Sequence, residues 1–112
     1  MLLRLVVTTH DGYVLIRATG EMDLSNAATV GDAVHDAIAD GFATVLVSLS
    51  GVSFIDSTGL SALVQGHRAA EAQGGYLAVV SPSEQVLQVI QLLGADHLLH
   101  LYDSVDDALR RG

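Results

Sequence analysis

Cysteine is absent from the 112 residues, so the chain has neither a disulfide framework nor thiolate-based metal or redox chemistry available to it. That absence is compatible with the cytosol. Basic side chains are scarce as well: five Lys and Arg stand against thirteen Asp and Glu, a formal net charge of −8. Such a surface opposes phosphate backbones and anionic membranes, so neither nucleic acid nor a membrane is an expected partner; a protein with a basic face is, or no charged partner at all. No apolar run approaches the roughly 18 residues that span a bilayer. The run over residues 1–7 alternates as a strand would and lacks a small-residue cleavage pattern, so it does not read as a signal peptide. These absences predict a soluble, cytoplasmic protein. What is present is apolar content, 50% by residue, which fits one domain over residues 1–112 able to bury its own core.

Two β-prone runs, residues 4–8 and 13–18, flank His10-Asp11-Gly12, where the Asp-Gly pair predicts a hairpin turn. Gly20-Glu21-Met22-Asp23-Leu24-Ser25 then breaks the pattern. Ser25 or Asn26 can cap a helix whose apolar positions Val30, Val34, Ala37 and Ile38 follow the 3.6-residue period, with Gly41 as its stop. Residues 44–49 are apolar except for Ser48, which predicts a central strand buried on both faces. After Asp56, the positions Leu60, Leu63, Val64 and His67 recur at helical spacing to about Gln73. Gly74-Gly75 ends that helix before a strand over residues 76–80. Strand, helix and strand make a βαβ unit with a right-handed crossover.

Ser81-Pro82-Ser83-Glu84 predicts a helix start with Ser81 as cap, Pro82 at the first helical position and Glu84 three residues after the cap. Val86, Leu87, Ile90 and Leu93 are its expected apolar face, and Gly94 its end. Residues 97–102 read as a short edge strand, and Ser104 with Asp107 as the cap of a last helix. The order β-β-α-β-α-β-α-β-α is that of an α/β domain with a mixed sheet: an antiparallel N-terminal hairpin, parallel crossovers and packed helices.

The chemistry concentrates at Asp56-Ser57-Thr58, where a strand hands over to a helix. Helix N-termini carry unpaired N–H groups and the positive end of the dipole, which favour oxygen ligands and negative charge. Helix capping accounts for one such residue, at about 0.5–2 kcal/mol, but three stand here. A hydrolase with Ser57 as nucleophile is not supported: no G-x-S-x-G surrounds it, and none of His10, His35, His67, His97 or His100 is marked as its base. No catalytic residue is therefore assigned. His67 and Glu71 stand four apart on the expected helix, but two ligands do not make a metal site and spacing signals no third. His67 falls on the apolar stripe, as a core histidine with a satisfied ring nitrogen would; His97 and His100 read as surface residues. The glycines form neither G-x-G-x-x-G nor a P-loop, so no nucleotide cofactor is indicated.

Gly20-Glu21-Met22-Asp23, a following strand, and the stretch from Leu49 to Leu60 with its Asp56-Ser57-Thr58-Gly59-Leu60 core resemble the STAS domain, in particular the bacterial anti-sigma factor antagonists. The resemblance covers essentially the whole chain and implies a STAS-like fold. It implies that Ser57 is the phosphorylated hydroxyl and that the partner is an anti-sigma factor that is also a GHKL-type serine kinase. The unphosphorylated form would bind that partner and free the sigma factor, phosphorylation would end the binding, and a PP2C-type phosphatase would restore it. Asp23, Asp56, Ser57, Thr58, Gly59 and Leu60 are the partner-binding residues so implied, with no cofactor and no metal. Two departures from the family pattern stand out: Ser48 where an aspartate is frequent, and Ser61 where a glycine is. Other readings on the same fold are a STAS subunit docking constitutively in a lipid-transport ABC complex or a stress-signalling assembly, and a small-ligand-binding module.

Overall fold

Asp11 and Gly12 close the hairpin between β1 (Arg4–His10) and β2 (Tyr13–Met22), which pair antiparallel from His10↔Tyr13 to Arg4↔Thr19. The structure is a computed structural model and describes residues 2–111. Met1 and Gly112, included in the expected domain, lie outside the described residues. The break expected at Gly20 is instead spanned by β2, which runs on to Met22 while its register against β3 shifts on either side of Gly20. Gly20 has φ +112°, and a Cβ there would stand 2.3 Å from the Leu2 carbonyl oxygen, so the strand continues only because this residue has no side chain.

Helix α1 (Ala27–Ala39) buries Val30, Val34 and Ala37 and stops before Gly41, as its periodicity requires. Strand β3 (Thr44–Ile55) lies between β2 and β4 and is parallel to both. Its first half is buried on both faces, with Val45, Leu46 and Val47 at 0% exposure. It runs six residues beyond the expected end at Leu49; there the buried apolar positions Leu49, Val52 and Ile55 fall three apart because the register against β2 slips by one β3 residue in each interval, while Ser48 and Ser50 share a 3.3 Å hydroxyl contact.

Helix α2 (Ser57–Ala72), β4 (Tyr76–Val80), α3 (Glu84–Leu92), a 3₁₀ turn (Ala95–His97), β5 (His100–Tyr102) and α4 (Val105–Arg111) complete the chain. The sheet order is β1-β2-β3-β4-β5, antiparallel only at β1–β2. Right-handed crossovers that advance in one direction put α1, α2 and α3 on one face, where Val34, Leu63 and Ile90 meet Val47 and Val79. On the opposite face Ala108 of α4 packs with Leu46, Ala78 and Val80, and the Tyr76 hydroxyl donates to the Ala108 carbonyl at 3.0 Å.

One helix start differs from its sequence signature. The cap of α3 is Ser83, whose Oγ accepts from Val86 N–H at 3.4 Å and donates to the Val52 carbonyl at 2.6 Å. Ser81 is drawn toward β5 instead: its N–H and hydroxyl donate to the carbonyls of Tyr102 and Asp103 at 2.9 and 3.0 Å, with φ at 51°. Pro82 consequently precedes the cap. Leu93, expected on the apolar face, is the C-cap residue and is 55% exposed. Ser104 does cap α4, accepting from Asp107 N–H at 3.1 Å.

Candidate binding and modification site

Of the three polar residues at the head of α2, Asp56 is the cap. Its Oδ1 accepts from Gly59 N–H at 2.9 Å and its backbone carbonyl accepts from Leu60 N–H at 3.0 Å. The other oxygen, Oδ2, accepts from Leu24 N–H at 3.3 Å, and Asp56 N–H donates to the Met22 carbonyl at 3.2 Å. One carboxylate thus holds both the helix start and the loop between β2 and α1.

That loop is itself pinned by short-range polar contacts. Asn26, expected with Ser25 as one of two candidate caps, occupies the N-cap position of α1 but turns its side chain backward: Oδ1 accepts from Asp23 N–H and Nδ2 donates to the Glu21 carbonyl, both at 2.9 Å. The Asp23 carbonyl accepts from Asn26 and Ala27 N–H. Asp23 Oδ1 accepts from the Ser25 hydroxyl at 2.5 Å and from Ser25 N–H at 2.9 Å, and these bonds, the hydroxyl's foremost, hold the Asp23 carboxyl below its ordinary 3.8.

Ser57 is the first residue of α2 and is exposed. Among the described residues no hydrogen bond engages its hydroxyl, so capping consumes Asp56 and leaves Ser57 available. Thr58 is half-buried beside it. Gly59 and Leu60 lie beneath this surface: Leu60 is 4% exposed, and a Cβ on Gly59 would stand 2.9 Å from the Met22 carbonyl oxygen and 3.0 Å from Ile55. The structure therefore brings Asp23, Asp56, Ser57 and Thr58 to one rim and sets Gly59 and Leu60 as the floor that lets α2 approach β2.

Apolar side chains ring this rim. Leu24 is 77% exposed, and Phe54, two residues before Asp56, is about half exposed. A groove of about 450 Å³ beside Ser57 is lined by Leu60, Ser61, Val64, Arg68, Leu93 and Leu98. A second, of about 310 Å³, runs between α1 and α2 past Asp32, His35, Thr58, Ser61 and Gln65. Ser61 borders both, and its Oγ accepts from Gln65 Nε2 at 3.2 Å. Leu24 and Leu98 carry no periodic signal as isolated leucines in loops, and the helical period assigns Leu93 to the buried face of α3 rather than to this groove.

The histidines divide unequally. His97 is a surface residue as expected, its side chain 87% exposed. His67 is buried in the apolar stripe of α2, with Nε2 3.2 Å from Glu71 Oε1 and Nδ1 without a hydrogen-bond partner among the described residues. His100, expected at the surface, is half-buried, its ring edge-to-face with His67 at 4.8 Å and with Tyr76 at 5.7 Å.

A mixed five-stranded sheet with its crossover helices on one face, and a capped helix start presenting a free hydroxyl at the strand ends, is the arrangement of a STAS domain. The family model matches residues 4–108, and the chain belongs to the STAS domain family. Among curated relatives it is 30% identical over 103 residues to the anti-sigma-F factor antagonist RsfB of Mycobacterium tuberculosis, covering 92% of this chain and 84% of that one. The crystal structure of an anti-sigma factor antagonist from Mycobacterium paratuberculosis superposes with a TM-score of 0.86 at 29% identity, covering 98% of this chain and 93% of that one. The anti-sigma factor antagonist SpoIIAA shares the fold at 24% identity, with TM-scores of 0.79 in its unphosphorylated form and 0.71 in its phosphorylated form; coverage is 96% of this chain in both, and 95% and 98% of the SpoIIAA chains. Among the described residues no helix is long and apolar enough to cross a membrane.

Proposed function

We propose that this protein is an anti-sigma factor antagonist that acts by binding rather than catalysis, and that Ser57 is the residue whose phosphorylation switches it. In this reading the unphosphorylated rim of Asp23, Asp56, Ser57 and Thr58 docks on an anti-sigma factor that is also a GHKL-type serine kinase, releasing the sigma factor. A PP2C-type phosphatase resets the switch. The observation that carries the reading is the exposed, uncommitted Ser57 hydroxyl directly after a carboxylate that already caps the helix. The relatives named as anti-sigma factor antagonists support the general role.

The physical consequences follow from placement. A phosphate on Ser57 adds about −1.5 to −2 charges and three acceptor oxygens at a helix N-terminus, where the dipole tolerates them, so the fold survives. The interface does not: the new charge stands beside Asp56 on a rim ringed by Leu24 and Phe54, and closing a partner over it requires desolvating two like charges. Solution of SpoIIAA in both forms supports a switch without refolding.

Ser57→Ala is expected to bind the anti-sigma factor as tightly as wild type and to resist kinase-dependent release. Ser57→Asp is expected to stay folded and bind at least about tenfold more weakly, about 1.4 kcal/mol. Titration calorimetry with circular dichroism on each variant measures both. Equal affinity of folded Ser57→Asp and wild type sinks the electrostatic switch, and absence of phosphate on Ser57 in protein from its native cells would favour constitutive docking instead.

A further inference from the structure

Ten residues beyond Ser57, about 15 Å along α2, a second cluster of chemistry lies outside the rim just described. Its members are His67 and Glu71 on α2 and His100 at the start of β5, brought together from positions 33 residues apart. One ligand atom from each, a ring nitrogen from either histidine and a carboxylate oxygen from Glu71, lie within 4.8 Å of one another.

Two features set this cluster apart from a surface ion pair. His67 is 8% exposed, and its Nδ1 is buried with no hydrogen-bond partner among the described residues. A buried polar atom left unpaired costs stability, which argues for a ligand in another state of the protein. The burial is also graded: His67 inside, His100 half-buried, Glu71 exposed. Two protein elements thus supply an inner wall while the carboxylate side stays open to solvent.

We propose that His67, Glu71 and His100 form a binding site for one divalent cation of the zinc class. Two imidazoles and a carboxylate suit borderline ions such as Zn²⁺ or Co²⁺ rather than Mg²⁺ or Ca²⁺, which prefer all-oxygen sites. A three-ligand set leaves a fourth position to water on the Glu71 side. Ligand atoms around one tetrahedral zinc, at bonds of about 2.0–2.2 Å, stand about 3.3 Å apart, so the group closes by up to about 1.5 Å on binding. Rotation about histidine χ2, which is broad, turns the edge-to-face rings into converging ligands. The bound ion cross-links the C-terminal half of α2 to edge strand β5, and the proposal stands independently of any modification of Ser57.

The test is calorimetric titration of the full chain with ZnCl₂, with thermal melts and imidazole ¹⁵N spectra at each step. Expected are one ion per chain, a rise in melting temperature, and perturbed ring-nitrogen resonances from His67 and His100 alone. Glu71→Ala, at an exposed position, should leave the chain folded, with a lower metal-free melting temperature because His67 Nε2 loses its 3.2 Å partner, while weakening binding more than about 100-fold, beyond the 10–100-fold cost of losing an outer-shell partner. His100→Phe, which keeps a ring against Tyr76, should do the same to affinity. His97→Ala should leave binding as in wild type. Undiminished affinity in Glu71→Ala and His100→Phe, several weak ions per chain, or loss of binding in His97→Ala would each overturn the proposal in favour of adventitious capture by surface histidines.

Discussion

At the scale of single residues, the candidate site works by dividing labour among neighbours of similar chemistry. Asp56 spends both carboxylate oxygens on structure, one on Gly59 N–H and one on Leu24 N–H. Ser57, next to it, is exposed, and its hydroxyl holds no partner among the described residues. Asp23 is committed locally through Ser25, and because its carboxyl is held below 3.8, the bonds contribute stability above that pH and lose it as pH falls through the folded-state value. Ser25→Ala removes the hydroxyl donor, the largest cause, and should raise the Asp23 pKa toward 3.8. A ¹³C carboxyl titration of Asp23 reads this directly; an unmoved midpoint would assign the depression elsewhere.

Elements explain why the same substitution has opposite signs in two helices. Alanine is favoured over glycine inside a helix by up to about 1 kcal/mol. At Gly31 of α1 a new Cβ meets nothing within 4 Å, so Gly31→Ala should stabilise by roughly that amount. At Gly59 the Cβ would press on the Met22 carbonyl and Ile55, where α2 crosses β2 and β3 at their ends. Gly59→Ala should therefore destabilise by about 1–3 kcal/mol, the range for overpacking. Urea unfolding of the two variants tests the pair, and a stabilised Gly59→Ala would mean that α2 can shift away from the sheet. The elements also show where sequence patterns mislead. Ser81-Pro82-Ser83-Glu84 contains two serines, and cap preference alone does not choose between them; the choice falls to Ser83 because β5 claims the N–H and hydroxyl of Ser81.

Across the whole molecule, the strand ends gather residues far apart in the chain: Leu24 on one loop, Phe54 and Ser57 at the centre, and Leu93 and Leu98 after α3. The apolar rim suits a protein partner, and the net charge of −8 favours one with a basic face. Association with the anti-sigma factor should then be electrostatically steered, with a rate that falls at least about tenfold as salt screens the long-range field, the lower end of the range for steering. Stopped-flow association at rising ionic strength measures it, and a salt-independent rate would confine recognition to short-range contacts.

Periodicity and turn chemistry made the hairpin, the central strand, the βαβ unit and the head of α2 legible in the amino-acid order, because each depends on residues within a few positions of one another. The extension of β2 through Gly20 was not legible: a glycine reads as a break until the Leu2 backbone is seen lying against it. Nor was the length of β3, whose second half lacks the two-residue alternation because its register against β2 slips twice. At the site, the Asp56-Ser57-Thr58 run was plain in the sequence, but which residue caps and which stays free was decided by hydrogen bonds to Gly59 and Leu24. The pairing of His67 with His100 belongs wholly to the tertiary structure. The two lie on different elements, and no local pattern encodes which face of a helix a distant strand will meet.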